Sequence, residues 1–196
     1  MTIAAIVGAQ VAAMSALASH RERVRAIKWV GLDVDGVLTD AGVYIGADGV
    51  EFKRFDIQDG YGIKLAQRAG LEFAFVSARP SVSTASRAKE LGVTVVQTGT
   101  RPKHLVVEEL LAARGLTWRE AAFVGDDLID IPVLSRVGLP VAPANAVAEV
   151  RDIAAHVLEA RGGHGAVREF ITWLYTQRGE WDALVEDAVR RLEEGT

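Results

Sequence analysis

Two groups of carboxylates dominate the chemistry that this sequence offers. Asp33 and Asp35 stand two residues apart in Asp33-Val34-Asp35-Gly36-Val37-Leu38-Thr39, at the end of an apolar run, and Asp126-Asp127 follows a second such run with Asp130 close behind. Each group alone has a plain structural reading. Asp-x-Asp suits a turn, and acids at a helix start cap free N–H groups and complement the dipole, which fits Asp127 well. Converging Asp33 and Asp126 would repel one another unless a cation sat between them, and a hard divalent ion such as Mg²⁺ suits oxygen ligands. A carboxylate can attack phosphorus and form an aspartyl-phosphate, dividing hydrolysis into two easier steps. A second carboxylic acid can protonate the leaving alkoxide and then accept a proton from water. Ser77 and Lys103 add a hydroxyl and an ammonium able to hold phosphoryl oxygens,. Taken singly, such residues are commoner as a cap and as a solvated surface charge.

Bringing these positions together requires a scaffold, and the periodicity supplies one. Apolar runs alternate with helical patterns, the signature of a parallel sheet flanked by helices in an α/β fold. Strands are expected at Ile27–Leu32, Phe73–Val76, Val93–Val96 and Ala121–Val124, with shorter elements near Leu139–Val141 and Ala154–Val157. Val43–Ile45 and Val50–Phe55 flank an Asp48-Gly49 turn signal and read as a hairpin,. Helices are expected from about Asp59 to Arg68, from Ser81 to Leu91 with Gly92 as the stop, and from Pro102 to Arg114,. A helical tail from Ala166 to about Leu192 breaks near Gly179. Ligands of open α/β sheets bind beyond the carboxyl ends of the strands. Asp33, Ser77 and Asp126 each fall at or just past such an end.

Composition removes several alternatives. A net charge of −4 gives no electrostatic case for a nucleic-acid surface,. The absence of cysteine excludes disulfides, thiolate zinc sites and cysteine nucleophiles,. The apolar stretch Ile3–Ala18 ends in Ala16-Leu17-Ala18, which resembles a signal-peptidase site, but no Lys or Arg precedes it and Gln10 and Ser15 interrupt it,. It is also short for a membrane span. An alanine-rich helical extension over residues 1–26 is the expectation, with no membrane partner.

Taken in order, Asp33-x-Asp35, Ser77, Lys103 and Gly125-Asp126-Asp127 resemble the four motifs of the haloacid dehalogenase superfamily. The resemblance is close to one capless branch, the 3-deoxy-D-manno-octulosonate 8-phosphate (KDO 8-phosphate) phosphatases, and runs from about Ile27 to Ile171. Its most specific segments are Asp33–Asp40, Asp59-Gly60-Tyr61-Gly62-Ile63, Gly125–Asp130 and Gly162-Gly163-His164-Gly165-Ala166-Val167-Arg168-Glu169. It implies a Rossmannoid phosphatase domain over residues 27–177, a β-hairpin flap at about 42–55, no separate cap domain, and a C-terminal helical tail over 178–196.

The same resemblance implies roles. Asp33 would be the nucleophile and a magnesium ligand. Asp35 would be the general acid/base and would give its backbone carbonyl to the metal, and Asp126 would be the third protein ligand. Ser77 and Lys103 would bind the phosphoryl group. The Asp56-Ile57-Gln58-Asp59-Gly60 loop, Lys64, Arg79 and Arg87 would contact a phosphorylated sugar acid, in a cytoplasmic homotetramer serving lipopolysaccharide precursor synthesis. The sequence departs from the family pattern at Lys64, usually Arg, at Ser77-Ala78-Arg79, commonly Thr-Gly-Arg, and at Thr98-Gly99, usually Gln-Gly. Two alternatives stay open: a phosphatase for a nine-carbon sialic-acid-type 9-phosphate, against which Arg79 weighs, and an inactive oligomeric sugar-acid-binding module. Gly162–Gly165 also reads as a simple flexible turn, and His164 as a surface histidine.

Overall fold

The apolar run that ends at Asp33 becomes the central strand of the sheet. A computed structural model describes residues 21–99 and 101–195. In chain order its elements are β1 (Trp29–Leu32), β2 (Tyr44–Ile45), β3 (Glu51–Phe52), α1 (Ile57–Arg68), β4 (Glu72–Ser77), α2 (Val82–Leu91), β5 (Val95–Thr98), α3 (Lys103–Ala112), β6 (Ala121–Val124), α4 (Ile131–Leu134), β7 (Leu139–Ala142), α5 (Ala148–Ile153), β8 (His156–Val157), α6 (Ala166–Arg178) and α7 (Trp181–Glu194). Six strands form one sheet in the order β5-β4-β1-β6-β7-β8, and every neighbouring pair is parallel. β2 and β3 form a separate antiparallel hairpin. No separate cap domain is present among the described residues.

Both faces of the sheet are covered, which is why its central strands read as unbroken apolar runs rather than as alternating ones. Val30, Leu32, Phe73, Phe75 and Val124 face a core closed by α1, α2 and α6. Trp29, Ala74, Val76 and Phe123 face a second core closed by α3, α4 and α5. Gly31 belongs to the second face, and a Cβ there would meet the Phe123 ring at 2.5 Å, so the glycine makes room for that ring.

Several boundaries differ from expectation for local reasons. α1 starts at Ile57, because Asp56 caps it by accepting from Gln58 N at 2.7 Å and Asp59 N at 3.4 Å,. The expected 56–60 loop is therefore a cap and a first helical turn. β5 begins at Val95 instead of Val93, since Val93 N–H is spent on Ala88 O at 2.9 Å, closing α2 past the left-handed Gly92,. The hairpin is shorter than expected, and Phe55 bridges to Thr39 instead of extending β3. The helical tail is broken at Gly179, as expected, in a left-handed conformation.

Residues 21–26 are helical and bury Val24. Residues 1–20, with Ala16-Leu17-Ala18 and most of the expected extension, lie outside the described residues. Among the described residues, no helix is long and apolar enough to cross a membrane.

Candidate active site

The strand order places the site. Successive connections run from β1 outward to β4 and β5 and then cross back to β6, so the crevice beyond the end of β1 is where the topology switches direction,. Asp33 follows β1 directly, its N–H donating to Val124 O at 3.0 Å. The chain then turns sharply, with the N–H groups of Leu38 and Thr39 both returning to Val34 O at 3.0 Å. Gly36 sits in this turn at φ +97°, and a Cβ on it would lie 1.9 Å from Asp126 Oδ2. Glycine is thus required twice, for the backbone angle and for the approach of Asp126.

One carboxylate oxygen from each of Asp33, Asp126 and Asp130 lies within 4.8 Å of the others. Lys103, the first residue of α3, reaches into the group with Nζ at 2.7 Å from Asp33 Oδ1 and 2.8 Å from Asp130 Oδ1. Asp130 gives its other oxygen to the N–H groups of Asp126 and Asp127, at 3.0 and 3.4 Å. Both Asp130 oxygens are engaged, whereas Asp126 Oδ1 is buried without a partner among the described residues.

Three carboxylates against one ammonium leave two negative charges unmatched. Burial, and then the Asp130 charge, push the Asp33 carboxyl up to about 8 despite Lys103,. Burial, followed by Asp130 and Asp127, pushes Asp126 up to about 7. Burial alone would lower Lys103, but Asp33 and Asp130 together outweigh it and the ammonium is raised. A site that stays neutral only by holding protons is one that a divalent cation can fill by displacing them. The orphaned Asp126 oxygen, the deficit of two charges and the all-oxygen donors fit Mg²⁺.

The other expected residues divide into two groups. Ser77 ends β4, and it lines a small cavity of about 60 Å³ together with Thr98, Gly99, Arg101 and Lys103. Asp35 shares the Asp33 turn but holds its carboxylate apart from the cluster, accepting from Lys53 Nζ at 2.7 Å. Arg87 donates to Asp56 O and Glu90 Oε2, both at 2.8 Å, and lies over the Phe55 ring. A Cβ on Gly60 would stand 2.3 Å from Arg87 Nη2. Arg79 pairs with Glu51 at 2.7 Å, Lys64 is half-buried on α1, and Ile57 and Gln58 are exposed. A cleft of about 480 Å³ runs between the hairpin and α2, lined by Lys53, Phe55, Ser83, Ser86 and Arg87 among others. Asp59 departs from the expected pattern. Its carboxylate is buried and accepts from Arg168 N at 2.8 Å, which ties it to the start of α6.

Comparison with known proteins gives the family. The family model of haloacid dehalogenase-like hydrolases matches residues 100–171, which include Lys103, Asp126 and Asp130. The chain is 39% identical over 156 residues to the 3-deoxy-D-manno-octulosonate 8-phosphate phosphatase KdsC of Escherichia coli, covering 80% of this chain and 83% of that protein. It belongs to the KDO 8-phosphate phosphatase family. The crystal structure of the Yersinia pestis KDO 8-phosphate phosphatase superposes with a TM-score of 0.81 at 35% identity, covering 84% of this chain and 89% of that one. The Moraxella catarrhalis KDO 8-phosphate phosphatase, solved with a magnesium ion, a phosphate ion and a KDO molecule, gives 0.83 at 29% identity, covering 85% and 96%.

This member of the KDO 8-phosphate phosphatase family also carries site residues that the sequence pattern does not mark. Asp130 reads as a first-turn acid, yet it joins Lys103 to the Asp126 backbone. Asn145 donates to Gly36 O at 2.9 Å and accepts from Gly162 N at 2.6 Å, fastening two loops together. Gly162 and Gly163 pack so closely on the Gly36–Asp40 backbone that a Cβ on either would collide with it, at 1.9 and 2.5 Å. The Gly162–Gly165 segment is accordingly a fitted contact and not a loose turn, and Arg54 ties it to the hairpin through Gly163 O. The spacing of Asp130, four residues after Asp126, is a weak sequence signal; Asn145 and Lys53 have none.

Proposed function

We propose that the chain hydrolyses the 8-phosphate ester of KDO, releasing KDO and inorganic phosphate through a phosphoryl group carried on Asp33. The observation that carries this reading is the convergence of Asp33, Asp126 and Asp130 around Lys103 beyond β1 and β6, in a chain 39% identical to KdsC. Asp33, Asp126 and the Asp35 carbonyl would hold Mg²⁺, which would supply the positive charge that lets an anionic carboxylate meet a phosphate dianion.

The protein's own groups do the rest. Lys103 orients the Asp33 carboxylate and, with Ser77, holds phosphoryl oxygens. An Asp33 oxygen bonds to phosphorus as the ester P–O bond breaks, and Asp35 protonates the departing sugar oxygen. Asp35 then takes a proton from water, whose oxygen displaces Asp33 from phosphorus. The cap and first turn of α1, at Asp56, Ile57, Gln58 and Gly60, with Lys64, Arg79 and Arg87, surround the sugar acid. Arg suits its planar carboxylate. The working enzyme is read as a cytoplasmic homotetramer. The apolar side chains exposed on the hairpin, Ile45 at 70% and Phe52 at 58%, support assembly through that ribbon,.

Wild type is expected to release phosphate from KDO 8-phosphate in Mg²⁺ and to stop when EDTA removes the metal. Asp33→Asn should lower kcat by about 1,000-fold or more. Undiminished turnover by that variant removes Asp33 from the mechanism. Comparing kcat/KM on KDO 8-phosphate and on a nine-carbon sugar-acid 9-phosphate tests the substrate, and a higher value on the latter overturns this assignment.

A further inference from the structure

Lys53 follows β3 on the descending limb of the hairpin, and its side chain is only 1% exposed. A buried ammonium must be paired. Its partner is Asp35, whose Oδ1 lies 2.7 Å from Lys53 Nζ. Glu51 Oε1 stands further off at 3.9 Å, while the other Glu51 oxygen is held by Arg79 at 2.7 Å. Two residues after Lys53, Phe55 bridges to Thr39, at the far end of the turn that carries Asp33 and Asp35. The hairpin is thereby moored to the catalytic turn at its root and by one buried ion pair. That pair ends on the side chain to which the proposed mechanism gives the proton transfer. With Oδ1 occupied by Lys53, Oδ2 is the oxygen left to carry the proton.

We propose that Lys53 is a positioning residue for proton transfer, fixing the Asp35 carboxyl so that Oδ2 meets the leaving-group oxygen. This rests on the phosphatase reading above. In the first half-reaction the Asp33 O–P bond forms and the ester P–O bond breaks. The bonding pair stays on the departing oxygen, which takes the proton from Asp35 Oδ2. In the second half-reaction the water O–P bond forms, the Asp33 O–P bond breaks, and Oδ2 regains a proton from the water. Lys53 exchanges no proton and no bond with the substrate. Its effect therefore scales with how much the leaving group needs a proton. A sugar alkoxide needs one badly, whereas 4-nitrophenolate departs without one.

The test is a leaving-group comparison on Lys53→Met, Lys53→Gln and Lys53→Arg, each checked for wild-type-like circular dichroism. Lys53→Met should lower kcat/KM for KDO 8-phosphate by about 100-fold, and for 4-nitrophenyl phosphate by less than about threefold. On the aryl ester it should show a burst of one nitrophenolate per site, because hydrolysis of the phospho-enzyme still needs Asp35. Lys53→Arg should recover most of the loss. Equal losses on both esters make Lys53 a folding residue and overturn the proposal. A rise confined to KM for the sugar acid makes it a substrate contact, which also overturns it. Should Lys53→Met not fold, Lys53→Gln keeps a neutral donor of similar length and carries the same two outcomes. If wild type ignores sugar-acid phosphates but cleaves aryl phosphates, the substrate assignment fails alone. Phenyl phosphate then replaces the sugar ester, and an unchanged sensitivity to leaving group between wild type and variants still overturns the role of Lys53.

Discussion

The Asp59 carboxylate is 1% exposed; Oδ1 takes the Arg168 N–H, and Oδ2 has no partner among the described residues. Burial, weakened by that N–H bond and reinforced by Asp56, pushes the group from 3.8 up to about 6. The folded state therefore binds this proton more tightly than the unfolded chain does. Its stabilising effect is complete below about pH 4, shrinks as pH rises through the interval between the two values, and is gone above about 6,. Thermal melts of wild type and Asp59→Asn should diverge across that interval, with wild type losing up to about 3 kcal/mol relative to the variant. Parallel melting curves would remove the charge penalty assigned to Asp59. From the sequence, Asp59 reads as a ligand contact because its motif resembles the family's, while its partner Arg168 lies 109 residues away. Lys53–Asp35, Asn145–Gly36 and Lys103–Asp130 are also non-local, with separations of 18, 109 and 27 residues. Strand ends mark Asp33, Ser77 and Asp126 in the sequence. These supporting pairs exist only once the loops have met.

At the scale of elements, legibility follows how many layers cover a segment. β1, β4 and β6 bury both faces, so apolar runs at Trp29–Leu32, Phe73–Val76 and Ala121–Val124 announce them and their carboxyl ends,. Ends governed by capping are displaced by about two residues. The Asp56 side chain starts α1 early, and the Val93 N–H delays β5. Close approaches of backbone to side chain leave a different trace, a glycine whose purpose is invisible until its neighbour is known. Gly36→Ala tests one of them. A methyl at φ +97° is strained, and it would occupy the space of Asp126 Oδ2, 1.9 Å away,. Mg²⁺ titrations of activity should show half-activation raised at least about tenfold while the circular dichroism spectrum is retained. An unchanged titration would mean that the turn can yield without moving Asp126.

For the molecule as a whole, with no separate cap domain among the described residues, the site is left to be covered by the hairpin, by α1 and α2, and by whatever meets the exposed ribbon. Val43, Tyr44, Ile45, Val50 and Phe52 are all exposed on the hairpin. Apolar side chains exposed together on one short hairpin are a surface that association would bury. Light scattering should give the mass of a tetramer for wild type and of a smaller species for the double variant Ile45→Asp, Phe52→Glu, since opposed charges of like sign at a buried contact are costly. A wild-type monomer would remove the hairpin from any role in assembly.

The ribbon has two sides with unlike duties, Phe52 exposed on one and the next residue, Lys53, turned inward on Asp35. If association buries the exposed side, turnover by one protomer is not a private property. Dilution below the association threshold would leave the carboxylate cluster whole yet slacken the grip on the departing alkoxide, so specific activity would register the company each subunit keeps.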